Sequence, residues 1–238
     1  MTMLGGSAKE GIDMNDEVSG PKVAAPTDWP STLGMESEDR RERKRAQKMN
    51  TILRTAASLI AERGYHGMNL EDIADRLDLA KASLYHYYSS KENLALTCLE
   101  TCANFVSSEL RRIADTDAPA IDRLRTMIQR QLELTVRDTP ELAHLFLHPL
   151  DWPDSIRPRM KVWREEHNEL FSQVIAEAIE AGELNPKVEY ISRAYLFGSL
   201  NHVPIWLRSS PELLDDVLPV LVDLSLGLFE PRVGDDDV

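Results

Sequence analysis

Disulfide chemistry is the first thing this chain lacks. Its 238 residues hold only two cysteines, Cys98 and Cys102, too few for a disulfide framework. Spaced i,i+4 on a helix, their side chains run nearly parallel, a poor geometry for bonding to each other. They read as small core hydrophobes, and the usage suits a reducing cytoplasm. No run of about 18 apolar residues is present, so no transmembrane helix is expected. The N-terminus lacks the charged-then-apolar pattern of a secretory signal. G-x-S-x-G, a glycine-rich phosphate loop and H-E-x-x-H are all missing, and no spacing gathers Ser, His and Asp together. Catalysis and a bound cofactor are therefore not expected. Aromatic residues are sparse at 6%.

Positive charge is scarce too, with a net charge of −13. Its distribution carries more than its total. Residues 40–100 have 11 Lys/Arg against 8 Asp/Glu, while residues 1–39 and 101–238 are both net acidic. Phosphate binding needs a local basic footprint rather than a basic whole. An acidic remainder would confine a nucleic acid to one face.

Residues 1–39 read as an acidic tail rich in Gly, Pro and Ser, with Trp29 its one large aromatic and no apolar period. Residues 231–238 read as a second acidic tail. Residues 40–95 form the net-basic unit, and residues 96–230 the acidic remainder. Between the tails the apolar period is helical and no convincing strand alternation appears. The expectation is an all-α protein of about nine helices. Caps and prolines place them at 46–63, 70–77, 81–88, 91–114, 118–137, 139–148, 154–182, 187–208 and 210–229. Gly64 is expected to close the first as a C-cap, and Asn69 and Ser90 to N-cap the second and fourth.

Two very short helices around a tight turn, with a longer helix on either side, are what a helix-turn-helix needs to put one helix into the major groove. The motif spans about residues 69–88. Ala74 supplies the small residue at the helix crossing, and Ile73, Leu77, Leu79 and Leu84 the inner anchors. Lys81, Ala82, Ser83, Tyr85, His86 and Tyr87 fall on or near the outer face of the third helix. Lys81 can donate to guanine or phosphate, Ser83 to a base edge or phosphate, and Ala82 can meet a thymine methyl. Tyr85 and His86 have polar tips suited to the same work. Tyr88 is expected in the core. Lys91 and Asn69, at helix starts, are candidate phosphate contacts. Upstream, Arg40–Lys48 packs six basic residues and one acid into RRERKRAQK, an arm to phosphate or minor groove, with Arg45 and Lys48 as candidates.

These residues carry a resemblance. TAASLIAERGY, DIADRL and LYHYYSSKENL resemble the N-terminal DNA-binding domain of the TetR family of bacterial transcription regulators, the last string matching its L-Y-x-x-(F/Y)-x-x-K-E-x-L pattern. Asp78 stands where that family usually has Gly, Ala80 where it has a Ser/Thr cap, Ala82 where it often has Gly, and Tyr88 where it has Phe. Asp tolerates the turn geometry. The resemblance implies a cytoplasmic regulator, most simply a repressor, bound to a palindromic operator. It also implies a helical C-terminal domain that dimerises and binds a small effector. A transcription activator of the same fold, and a protein-interaction adaptor without specific DNA, are the alternatives.

The acidic half allows this reading. Tyr190, Ala194, Phe197 and Leu200, then Leu214, Val217, Leu218, Leu221, Leu224 and Leu228, make the last two helices strongly apolar. Two such helices per subunit suit a four-helix homodimer interface, or an ordinary intrachain core. An effector pocket needs apolar walls and a few polar groups. Its candidates are Phe105, Leu132, His144, Leu145, His148, Trp163, His167, Phe171, His202 and Trp206. Pro204 is expected to kink its helix and open space beside the last two. EAIEAGELNPKVEYISRAYLFGSLNHVPIWLRSSPE resembles the layout of regulators that respond to fatty-acyl or steroid-derived CoA thioesters, so the expected effector is apolar or amphipathic. His144 and His148, with Glu141 a turn earlier, share metal-ligand spacing. Two histidines are a thin signal, and a pocket wall or surface pair is the expected role, with no metal.

Overall fold

The computed structural model describes residues 40–147 and 152–230. The expectations for Trp29, both acidic tails and His148 lie outside them. The described residues form nine α-helices and no strand: α1 (Arg40–Gly67), α2 (Leu70–Arg76), α3 (Lys81–Tyr87), α4 (Lys91–Ala114), α5 (Ala120–Glu133), α6 (Glu141–Leu147), α7 (Arg157–Glu180), α8 (Glu189–Trp206) and α9 (Leu214–Gly227).

Two hydrophobic cores result. The first joins Ile52, Leu59 and Ile60 of α1, Ile73 of α2, Leu84 of α3, Leu94, Cys98 and Leu99 of α4, Leu145 of α6 and Trp163 of α7. The second joins Leu110 of α4, Leu124 and Ile128 of α5, Phe171 and Ile175 of α7, Leu196 and Leu200 of α8 and Leu218 and Val222 of α9. Helices α4 and α7 thread both cores, and Val106 of α4 packs against each. These two helices are thus the packed elements that connect the two cores.

Several boundaries differ from expectation, each for a physical reason. Helix α1 starts at Arg40, six residues early, so the basic stretch is helical rather than an extended arm. Arg and Lys are good helix formers, and nothing in RRERKRAQK breaks a helix. Gly64 does adopt a left-handed φ of 72° but is followed by one more turn, which runs to Gly67. Helix α5 ends at Glu133 and continues as a π-turn over Leu134–Asp138. There the hydroxyl of Thr139 donates to the Leu134 carbonyl at 2.8 Å and that of Thr135 to the Gln131 carbonyl at 2.8 Å, side-chain bonds that compete with the α pattern. The proline-led starts at Pro186 and Pro211 open as single 3-10 turns before α8 and α9.

Candidate nucleic-acid interface

The reading unit is assembled from caps and cross-braces. Asn69 Oδ1 accepts the Asp72 amide at 2.7 Å and Ser90 Oγ accepts the Asn93 amide at 3.0 Å, closing the starts of α2 and α4. Each such cap is worth about 1 kcal/mol. Between α2 and α3 Asp78 takes φ 50°, the conformation in which Gly or Asp is tolerated. Aspartate therefore takes the turn position between the two short helices. Ala80 makes no side-chain cap, so the amides at the start of α3 lack the bond a Ser or Thr there would supply.

Cross-braces then hold α2 on α1. Arg76 makes a two-pronged pair with Glu62 at 3.1 and 3.0 Å, and Arg63 reaches Asp72 at 3.0 Å. The Arg76 guanidinium holds the Glu62 carboxyl below its ordinary pKa. Exposed pairs of this kind contribute about 0.2–1 kcal/mol each. Their use is orientation, since α2 and α3, at seven residues apiece, are too short to be stable alone. Sequence reasoning missed these braces. Opposite charges 9 and 14 residues apart give no local signal, and only the packed helices bring them together.

The outer face of α3 is as expected in composition. Ala74 and Leu84 are buried at the helix crossing, and Leu77 and Leu79 pack half-buried against the same core. Lys81, Ala82, Tyr85 and His86 are exposed, while Ser83 and Tyr87 are half-buried. Tyr85 keeps 44% of its surface in solvent, a large value for an aromatic ring on a short helix. Lys81 pairs with Glu71 of α2, which holds that carboxyl low; a phosphate can replace so exposed a partner. The His86 and Tyr87 rings meet edge-on at 5.7 Å, and Lys48 Nζ lies 5.8 Å from the Tyr87 ring centre. Tyr88 is buried, its phenol without a hydrogen-bond partner and its pKa pushed up to about 12 by burial.

Two candidates are differently placed. Lys91 is half-buried, and its ammonium donates to the His66 carbonyl at 3.0 Å and sits 4.6 Å from the Tyr65 ring centre. Burial lowers its pKa. In this position it ties α4 to the last turn of α1 rather than pointing outward. Asn69 gives its oxygen to the cap, leaving the exposed amide nitrogen for a phosphate.

The acidic half departs further from the expected pocket. Leu145 and Trp163 are buried in the first core and Leu132 and Phe171 in the second, while Phe105 and His144 are half-buried. His167 faces Gln131 across 3.1 Å between its Nε2 and the amide oxygen, with Phe171 and Phe197 beside it. Burial lowers its pKa. His202 and Trp206 are both exposed on α8. Pro204 is buried and the helix runs through it to Trp206, so these two side chains face outward. Two open clefts are present, one of about 380 Å³ between α7 and α8, the other of about 440 Å³ beside α4 and α5. Asn168 and Phe197, which lie beside His167, line the first. No group of three or more metal-ligating side chains is found among the described residues.

The last two helices divide their apolar residues between two faces. Leu200, Leu214 and Leu218 are buried, and Phe197, Val217, Leu221 and Leu228 pack half-buried beside them. The opposite face leaves Tyr190 (78%), Ile191, Tyr195 (67%), Trp206 (47%), Val220 and Leu224 (65%) in solvent. Ile191, Tyr195 and Val220 were not singled out in the sequence; a second apolar stripe on an already apolar helix was the available signal.

Comparison with known proteins agrees with this architecture. The family model described as "Bacterial regulatory proteins, tetR family" matches residues 52–98, and that described as "Tetracyclin repressor-like, C-terminal domain" matches residues 117–218. This chain belongs to the TetR family. Among curated relatives, the biofilm operon icaADBC HTH-type negative transcriptional regulator IcaR of Staphylococcus epidermidis is 38% identical over 73 residues, 31% of this chain and 39% of that protein. The HTH-type transcriptional repressor KstR2 of Mycobacterium tuberculosis is 32% identical over 82 residues, 34% of this chain and 41% of that protein. This TetR-family chain thus spans about two fifths of the length of those relatives. The solved structure of the transcriptional regulator FadR from Bacillus subtilis in complex with stearoyl-CoA shares the fold, with TM-score 0.63, 20% identity and coverage of 76% of this chain and 98% of that one. Among the described residues no helix is long and apolar enough to cross a membrane.

Proposed function

We propose that this TetR-family chain is a transcription regulator that binds a palindromic operator as a homodimer and is released by a small effector, acting as a repressor. The observation that carries the reading is the split character of α3. Leu84 anchors it in the core while Lys81, Ala82, Tyr85 and His86 are exposed. Residues 40–95 form the reading head and residues 96–230 the effector and dimerisation half. Ser83, Tyr87 and Asn69 complete the contact set on α2 and α3. Lys91 stabilises the head, and would reach a phosphate only by leaving His66. The regulator works in the cytoplasm, where its DNA is.

One such helix buries too little DNA for tight specific binding, and a two-fold dimer reads two half-sites. The exposed apolar face of α8 and α9 supports self-association. An amphipathic, acyl-CoA-like molecule is the effector class that the sequence layout suggests, in keeping with the stearoyl-CoA bound by the Bacillus subtilis neighbour. His167, Gln131 and His144 offer it polar contacts, with Phe105, Leu132, Leu145, Trp163 and Phe171 around α4–α7 as apolar surroundings that must separate to admit it. Because α4 joins both cores, an effector that wedges them apart shifts the reading heads. It favours release only if it binds the misfitting arrangement more tightly.

The test is a footprint on DNA flanking the protein's own gene at fixed salt, without and with acyl-CoA thioesters. A protected palindrome that is lost on adding a thioester is expected. Protection that appears only with the effector would mark an activator, and DNA binding with no sequence preference would remove the regulator reading.

A further inference from the structure

Six of the chain's 27 basic residues lie between Arg40 and Lys48, and the structure makes them the first turns of α1. In the body of α1 the face that packs on the other helices carries Ile52, Ala56 and Leu59, all buried. The same helical row, traced toward the N-terminus in steps of three or four residues, reads Lys48, Arg45 and Arg41. No residue before Ile52 in α1 is buried. One continuous face is therefore apolar where it crosses the reading head and basic where it overhangs it. Lys48, the innermost of the three, lies over the ring of Tyr87 at the C-terminal end of α3. The basic row thus starts at the reading helix and runs outward from it.

We propose that this overhang is a second DNA-binding element, a rigid helical strut whose Arg41, Arg45 and Lys48 contact backbone phosphates just outside the half-site read by α3. The proposal rests on the DNA-binding reading above. Charge complementarity selects the partner, since this is the most basic stretch of an acidic chain, and its inner end meets α3 at Tyr87. Rigidity selects the mode of contact. An extended arm can thread a minor groove and read its A·T content, whereas a helix of about 10 Å diameter is too wide for a groove about 6 Å across. With the major groove of the half-site taken by α3, it lies along the phosphates. From Arg41 to Lys48 the helix advances about 10 Å at 1.5 Å per residue. That span brings the side chains within reach of successive phosphates of one strand. Contacts of this kind add affinity and fix orientation without reading sequence.

The test compares the intact protein with the double variant Arg41→Ala/Arg45→Ala, both checked for helicity by circular dichroism. Each is titrated against its full operator and against one shortened by about four base pairs at either end. Lys48 is left in place because it supports Tyr87. In a dimer the double variant gives up four phosphate contacts, so the dependence of log K on log salt should become shallower by about 3–4 at about 0.9 per contact. Shortening the operator should weaken the unmodified protein similarly while leaving the double variant nearly unchanged. Arg41→Lys/Arg45→Lys should bind as the unmodified protein does. An unaltered salt slope in the double variant would overturn the proposal. So would a loss that depends on the A·T content of the flanks, which would mean groove insertion. Failure of the unmodified protein to bind any DNA selectively would instead remove the regulator reading itself, and the strut with it.

Discussion

The ammonium of Lys91 donates to the backbone carbonyl of His66 at 3.0 Å while lying 4.6 Å from the ring centre of Tyr65. The first residue of α4 thereby holds the last turn of α1, beyond the left-handed Gly64. A position that the sequence offers as a phosphate clamp is occupied with holding the reading head together.

Lys91→Ala should therefore lower stability as well as operator affinity. A charged hydrogen bond contributes about 1.5–3 kcal/mol and an exposed cation–π contact about 0.5–1 kcal/mol. Partial exposure reduces the total to about 1–2 kcal/mol. Thermal denaturation should show a fall in Tm of a few degrees. An unchanged Tm with weakened DNA binding would restore the clamp role.

Tyr85→Ala should behave in the opposite way. The ring is exposed on α3, outside the core, so stability should change by less than about 0.5 kcal/mol. Operator affinity should fall about tenfold or more, the scale of one lost specific contact. A mobility-shift titration at fixed salt measures it, and equal affinity for Tyr85→Ala and the unmodified protein would remove Tyr85 from the interface.

Tyr195 and Leu224 sit on the outward faces of α8 and α9. Tyr195→Asp/Leu224→Asp would place charge in an apolar interface, where an unpaired charge is costly. Sedimentation should shift from dimer to monomer and the affinity for a palindrome should collapse, with helicity retained because neither side chain is buried within the subunit. A double variant that stays dimeric would place the interface elsewhere.

Glu141, at the start of α6, is buried, and one of its oxygens has no hydrogen-bond partner. Burial raises its pKa, and the positive charge of Arg54 on α1 opposes this only in part. A carboxyl with a raised folded pKa favours the folded state when protonated. That contribution is full below the unfolded value, near 4.5, and is lost as pH rises through the folded pKa. Glu141→Gln should consequently be more stable than the unmodified protein at pH 7.5, by an amount of the order of 1 kcal/mol. The advantage should shrink toward pH 4.5. Chemical denaturation at the two pH values tests this; a Glu141→Gln protein that is less stable at pH 7.5 would make the attraction of Arg54 the larger effect.

Much of the reading head was legible in the sequence because its information is local. Asn69 and Ser90 cap the helices they precede, Asp78 takes the turn conformation, and the i,i+3,i+4 rows of α1 and α4 point into one core. The acidic half was less legible. Apolar residues on α8 and α9 mark two helices that need burial, but periodicity cannot say which stripe meets the chain itself and which is left over. That ambiguity left the facing of Trp206 and His202 open, and the structure exposes both.

The sequence by itself determined the helices, their caps, the composition of α3 and the concentration of positive charge at one end, since each depends on neighbours within a turn or two. The tertiary structure decided what those pieces are for. It turned Lys91 inward to His66 and braced Arg76 against Glu62. It divided the apolar residues of α8 and α9 between a core and an open face, and set Lys48 of α1 against Tyr87 of α3. Each of these depends on side chains brought together from distant parts of the chain, and such meetings are set by how helices pack, which no local pattern encodes.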